Sequence, residues 1–443
     1  MHIRTGLSGV VVALLLGGMA VAETTHYVAA TKAQRSGVSD GSASSPWPSV
    51  NAALKSGAVQ GGDTLTLMDG DHGGLNLHNV AFDKRVTIVS QNERNAHVDR
   101  IQVTGRSQNL TFRNLSVWPK ISGTGSNPLV GANPASSDIT VEGLIVGSGP
   151  DANRFLTWNL AQWHRRKING IHLKGARGVV RNNTVTGIRF GIITAGVDSL
   201  VERNWVNGFS GDGLRGIGDR NIFRGNRVTN CIKIDKNHDD GFQSWSPRKR
   251  KNASITGGII EGNTIIEWTE APGHPLQCRL QGIGMFDGFF DNYIIRNNLI
   301  SVSAYHGIAV YGGRGVKVVN NTVVSNSGKA QKNPWIGIFN HKNGTPAQNI
   351  LVANNLAMLY KGKPNRAQNT IFAANSIIKS PLGAFANAAG FNYSPVARSG
   401  FIDTAISDYA PGFDIMNLRR PAGGGPDRGA IEVGATRPRG DLK

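Results

Sequence analysis

Between Asn169 and Asn355 one short phrase recurs, and a chain that repeats itself in this way is confined to architectures that stack like on like. The phrase is a residue standing before a glycine and an apolar residue, then a gap, then an Asn at the head of the next short strand. The residue before the glycine is Asn169, Phe190, Asp212, Asp240, Gln281, His306 and Ile336 in turn. The Asn landmark falls at Asn183, Asn204, Asn226, Asn263, Asn298, Asn321 and Asn355. Successive landmarks are 21, 22, 37, 35, 23 and 34 residues apart, so a base period of 21 to 23 carries insertions.

Each period holds short β-branched runs such as Val316-Lys-Val-Val319, separated by Gly and Asn. That is strand chemistry with left-handed corners, and a 21-residue period has no room for a helix of ordinary length as well. One coil cannot bury its apolar side alone, whereas coils stacked at the strand spacing of roughly 4.8 Å bury a continuous core. The recurring Asn then forms a ladder, its amide bonding the coils above and below. The expected fold is all-β, a single-stranded right-handed parallel β-helix. Glycine at 57 of 443 residues fits a chain with several corners per coil.

Lys and Arg total 48 against 29 acids, a formal net charge of +19, and the pI is about 10.2. Such a field attracts polyanions. The amino terminus reads as an export signal: Arg4, an apolar Val10–Leu16, and Ala20-Val21-Ala22 as the cleavage site. Residues 1–22 are therefore expected to be removed, leaving one domain over 23–443 in a periplasm or outside the cell. The apolar stretch is too short to span a bilayer, and no membrane span is expected elsewhere.

From Thr25 to Gly70 the text changes to strand, turn, a helical Pro48–Lys55 and strand again. This entry resembles that of the pectate-lyase-like β-helix superfamily, in which a short amphipathic helix caps the open end of the solenoid. Early coils follow at Val86–Val89, Ile101–Val103, Leu110–Phe112 and Ile139–Val141, with the main repeats over about 80–360. Residues 146–168 form an insertion whose Trp158 and Trp163 read as packing. Residues 361–443 are taken as a C-terminal cap, with a last strand pair near Ile371 and Ile377; Pro426-Asp-Arg-Gly-Ala-Ile-Glu432 is similar to the closing phrase of that superfamily. Cys231 and Cys278 would pair or be buried singly, and their number and spacing point to no metal cluster.

Costly residues interrupt the repeat in one place. If register holds, Asp212, Asp240 and His306 stack in one column, with Asp239 beside Asp240. Carboxylates one coil apart cannot all ionise at ordinary pKa values, so one should stay protonated near neutrality. Arg215, Lys236, His238, Gln243, Trp245, Gln281, Asp287, Tyr305 and Tyr311 continue the same face as candidate substrate-binding residues. Trp245 offers an apolar platform, while Arg215 and the run Arg248–Lys251 would hold carboxylates of a polymer.

The set Gly211-Asp212-Gly213, Asp239-Asp240-Gly241 and Tyr305-His306-Gly307 is similar to the polygalacturonases, the hydrolase branch of that superfamily. The resemblance implies Asp239 or Asp240 as general acid and Asp212 with its partner as the base that activates water. The sequence departs from it by an added coil carrying Gln281, and by Arg314-Gly-Val-Lys317 in place of Arg-x-Lys. The expected activity is thus cleavage of an acidic, uronate-containing polysaccharide, with hydrolysis by paired aspartates favoured and no cofactor or metal. β-Elimination is the alternative, with Arg215, Lys233, Lys236, His306 or Tyr305 acting and the Asp cluster as a Ca²⁺ site. A non-catalytic polysaccharide-binding solenoid is the other. Nucleic acid is not expected as a partner.

Overall fold

The computed structural model of the chain describes residues 23–35, 37–120, 127–246, 253–325, 333–362 and 369–436. The export signal and the Arg248–Lys251 run lie outside the described residues. The chain winds through three long parallel sheets of 13, 11 and 12 strands, each coil contributing one strand to each sheet. It is a right-handed parallel β-helix. Val180, Val201, Phe223, Ile260, Ile295, Val318 and Val352 stack inside, as do Val185, Val206, Val228, Ile265, Ile300 and Val323 from the facing sheet.

The asparagine ladder is continuous. Asn263 illustrates one rung: its Oδ1 accepts from the backbone N–H of Asn226 (3.0 Å) and from Asn226 Nδ2 (2.9 Å), and its Nδ2 donates to Asn298 Oδ1 and to the Phe223 carbonyl. A buried amide with all four of these bonds made carries no desolvation penalty for an unmet group. The series runs from Asn183 through Asn355 and gains a further rung at Asn375. The residue before each rung turns the corner in the left-handed region: Asn182, Arg203, Gly225, Gly262, Asn297, Asn320, Asn354 and Ala374 have φ between 48° and 64°. Asn and Gly tolerate that conformation best, which is why the phrase reads NN or GN.

The repeated glycines do something else, and the expectation of left-handed corners there is corrected. None of Gly170, Gly191, Gly213, Gly241, Gly282 and Gly307 has positive φ. Their α-hydrogens point inward instead. A Cβ on Gly241 would lie 2.4 Å from Ile265 Cγ2, and one on Gly307 would lie 2.2 Å from Val323 Cγ1. Only glycine lets this corner close on the facing sheet.

Outside the ladder, charges alternate along the 13-stranded sheet: Arg113, Glu142, Arg181, Glu202, Arg224, Glu261 and Arg296 are register partners in that order. Glu261 is bridged from both sides by Arg224 and Arg296. At the amino end the helix Val50–Lys55 is capped by Ser49, whose hydroxyl accepts from Ala52 N, and it buries Val50 and Ala53. The insertion folds as Ala152–Thr157 and Leu160–Arg165 around Trp158 and Trp163, which pack with Ile232, Ile234 and Trp268. The last strands are Ile371–Ala373 and Ser376–Ile377. The tail then lies along the flank of the coils: Ile406 bonds Asn354, Asn297 bonds Phe413, and Asn320 bonds Asp427. Cys231 and Cys278 form a disulfide.

Candidate active site

The 11-stranded sheet carries the candidate residues, on Leu214–Gly216, Asp240–Trp245, Gln281–Asp287, His306–Tyr311 and Trp335–Phe339. Leu214 pairs with Phe242, Asp240 with Gln281, and Ile283 with Ile308, so Asp212, Asp240, Gln281 and His306 do share one column. The last member is corrected. A register shift makes Trp335 the partner of His306, while Ile336 pairs with Ile308 and is buried.

Asp212 and Asp240 face the same side but sit beneath the groove surface, 1% and 0% exposed. Asp212 accepts from Arg215 Nε at 2.5 Å through Oδ2 and from the Asp240 backbone N–H at 3.1 Å through Oδ1. Asp240 Oδ2 lies 2.9 Å from His238 Nδ1 and accepts from Gln243 Nε2 at 3.1 Å. Its Oδ1 is buried with no hydrogen-bond partner among the described residues. Burial pushes the Asp240 carboxyl up to about 7, with repulsion from Asp212 adding to it and His238 opposing it. Burial likewise raises Asp212, against the pull of Arg215. His238 is raised above the ordinary imidazole value by its bond to Asp240. The buried acids therefore hold two side chains that reach the groove, the Arg215 guanidinium and the His238 imidazole.

Arg215 is sandwiched, its guanidinium 3.5 Å from the Phe190 ring centre and 5.1 Å from that of Trp245. Its terminal nitrogens have no hydrogen-bond partner among the described residues, nor does His238 Nε2. Across the groove, Gln281 Oε1 lies 2.6 Å from His306 Nδ1; an amide oxygen accepts, so the proton sits on Nδ1. Burial pushes His306 down to about 4, leaving it neutral. Its ring packs against Phe286, Tyr305 and Trp335. The groove between these walls has a volume of about 590 Å³.

Arg215, His238, Gln243, Trp245, Gln281, Asp287, Tyr305 and His306 all line it. Tyr311 sits next to it, 5.9 Å from Phe286. Asp239 is turned away, bonded to Lys233 Nζ at 2.8 Å and to Asn237, and burial raises it to about 6. Lys236 is exposed on the preceding loop and does not line the groove. Arg314 is occupied by Asp291 and Ser254. Both oxygens of Asp212 accept from N–H donors. Phe190, Phe286, Trp335, Phe339 and Lys342 complete the surroundings. Trp335 was hidden by the register shift, but Phe286 and Phe339 are legible as the outward residues of strands whose neighbours are apolar.

The family model described as right handed beta helix region matches residues 169–394. Comparison with curated proteins gives no match. Among solved structures, XylC in complex with xylose aligns over 92% of this chain and 98% of its own, at 9% identity and a TM-score of 0.57. Dettilon tailspike protein (gp208) aligns over 79% and 67%, at 14% identity and a TM-score of 0.50. Pectate lyase Pel9A aligns over 93% and 97%, at 14% identity and a TM-score of 0.46. Likeness at such identities is a likeness of fold.

Proposed function

The chain belongs to the right-handed β-helix family, and from that premise we propose that it is an enzyme that depolymerises an acidic, uronate-containing polysaccharide. One observation carries the reading: a groove-facing imidazole whose Nδ1 is held by a buried carboxyl stands beside a guanidinium clamped by a second one. That arrangement fits β-elimination best. Arg215 binds the uronate carboxylate and withdraws charge from it, which acidifies the proton on the adjacent ring carbon. His238 Nε2 takes that proton, the electron pair of the broken C–H bond forms the ring double bond, and the bond to the departing oxygen breaks with its electrons leaving on that oxygen. Tyr305, on the opposite wall, supplies the proton the departing oxygen needs. Asp212 and Asp240 are positioning residues here, since neither reaches the groove surface.

Hydrolysis is the second reading, favoured by an Asp240 carboxyl that burial keeps protonated toward neutral pH. The two are separated by incubating the protein with a panel of acidic polysaccharides while following reducing ends and the ultraviolet absorbance of an unsaturated uronate. Reducing ends with absorbance mean elimination, and reducing ends without it mean hydrolysis. If neither appears on a broad panel, the enzymatic reading fails and a binding solenoid remains.

A further inference from the structure

Resting on that activity, we infer that the substrate is a heteropolymer in which the cleaved uronate is followed by uncharged sugars, not a polymer of uronate alone. The groove crosses the coils from Arg215 to His306, so its long direction follows the solenoid axis. Its lining changes character along that direction. On the amino-terminal side stand Arg215 and His238. On the carboxy-terminal side the outward column holds Phe286, Tyr311 and Phe339; Lys342 there is ion-paired with Asp287, and Lys361, the register partner of Gly337, lies beyond the aromatic coils over the Trp335 ring at 5.8 Å.

The aromatic wall is built into the backbone. The column beside it is Gly284, Ala309 and Gly337, partners in register. A Cβ on Gly284 would lie 2.4 Å from the Phe286 ring, and one on Gly337 would lie 2.7 Å from the Phe339 ring. Small residues there let the rings lean over the sheet, where Tyr311 and Phe339 stack at 4.7 Å and 19°. A sugar spans about one coil rise of roughly 4.8 Å. A uronate homopolymer would set carboxylates against the Phe286 and Tyr311 coils, short of Lys361, at the desolvation cost of an unmet charge. A neutral sugar presents C–H groups to the same wall without that cost.

Two polymers test this: a homouronan, and one in which uronate alternates with a neutral hexose. Cleavage rate and retardation in gels containing each polymer are both measured. The alternating polymer should be cleaved and retained more strongly, by about tenfold or more. Equal or stronger retention by the homouronan overturns the inference, as does retention by neither polymer. Stronger retention by the alternating polymer with no cleavage of either leaves the specificity standing and removes the enzymatic reading instead. Phe339→Lys, checked for an unchanged melting profile, should narrow the preference severalfold by supplying a counter-charge. A ratio unmoved by that substitution counts against the aromatic wall as its origin.

Discussion

At the level of single residues, His238 and Asp240 make opposite predictions for the two reactions. An eliminating His238 must be unprotonated, and its bond to Asp240 raises its pKa, so kcat/KM should rise with pH through a value above the ordinary 6.5. A hydrolysing Asp240 must be protonated, so the same rate should fall as pH passes about 7. A pH profile on a cleaved polymer therefore decides by its slope. His238→Ala should lower kcat by about 10²-fold or more under elimination; a rate within a few-fold of the parent would reject the imidazole. Asp240 also bears on stability. Its folded pKa is raised, so the stabilisation from its buried neutral form is complete below the unfolded value of about 4 and is lost as pH rises through about 7. Asp240→Asn should then melt higher than the parent at about pH 8 and lose that advantage at about pH 4. No gain at the higher pH would mean that the carboxyl is not held neutral. None of this was visible as burial in the sequence. The crowding of Asp212 and Asp240 was legible from their spacing, but strand parity does not tell whether a corner residue reaches solvent or lies under Arg215 and Gln243.

At the level of the coil, the asparagine rung is the unit. Asn263→Ala takes the acceptor from the buried Asn226 N–H and from one Asn226 amide hydrogen, and removes the side-chain donor to the Phe223 carbonyl, while Asn298 Oδ1 keeps the backbone N–H of residue 263. Asn263→Ala should cost about 2–4 kcal/mol, measured by denaturant unfolding. Asn375→Ala, at the half-exposed end of the ladder, should cost much less. Equal costs would mean that the ladder does not act through burial. The sequence announced this element because an amide that must satisfy two neighbours tolerates no substitute, and a strict requirement repeats as text. The glycine half is equally visible, but from the sequence it reads as a turn requirement. Glycine is demanded both by positive φ and by an inward-facing Cβ, and letters alone do not separate the two. The same ambiguity hid the slip after His306: Ile336-Gly337-Ile338 copies the phrase, yet Gly337 pairs with Ala309 and faces the aromatic rings.

For the molecule as a whole, two features follow different rules. The tail is held by particular contacts, among them Arg420 buried beside Glu432, and no period in the sequence marks where residues 397–436 run. The net charge of +19 is instead a sum, fully legible from composition, and it acts at a distance. A field of that size draws a polyanion toward the solenoid, but it is screened over about 10 Å at 0.1 M salt. Asp212 and Asp240, which hold Arg215 and His238, lie under the groove surface, where salt screens poorly. Capture and chemistry should therefore separate on a salt titration. Raising monovalent salt from about 0.02 M to about 0.3 M should increase KM for the acidic polymer by about tenfold or more, while kcat changes less than about twofold. A KM indifferent to salt would show that the positive surface lies away from the path of the polymer. A kcat that falls in step with binding would mean that solvent ions reach the contacts that hold Arg215 and His238, against the burial of Asp212 and Asp240.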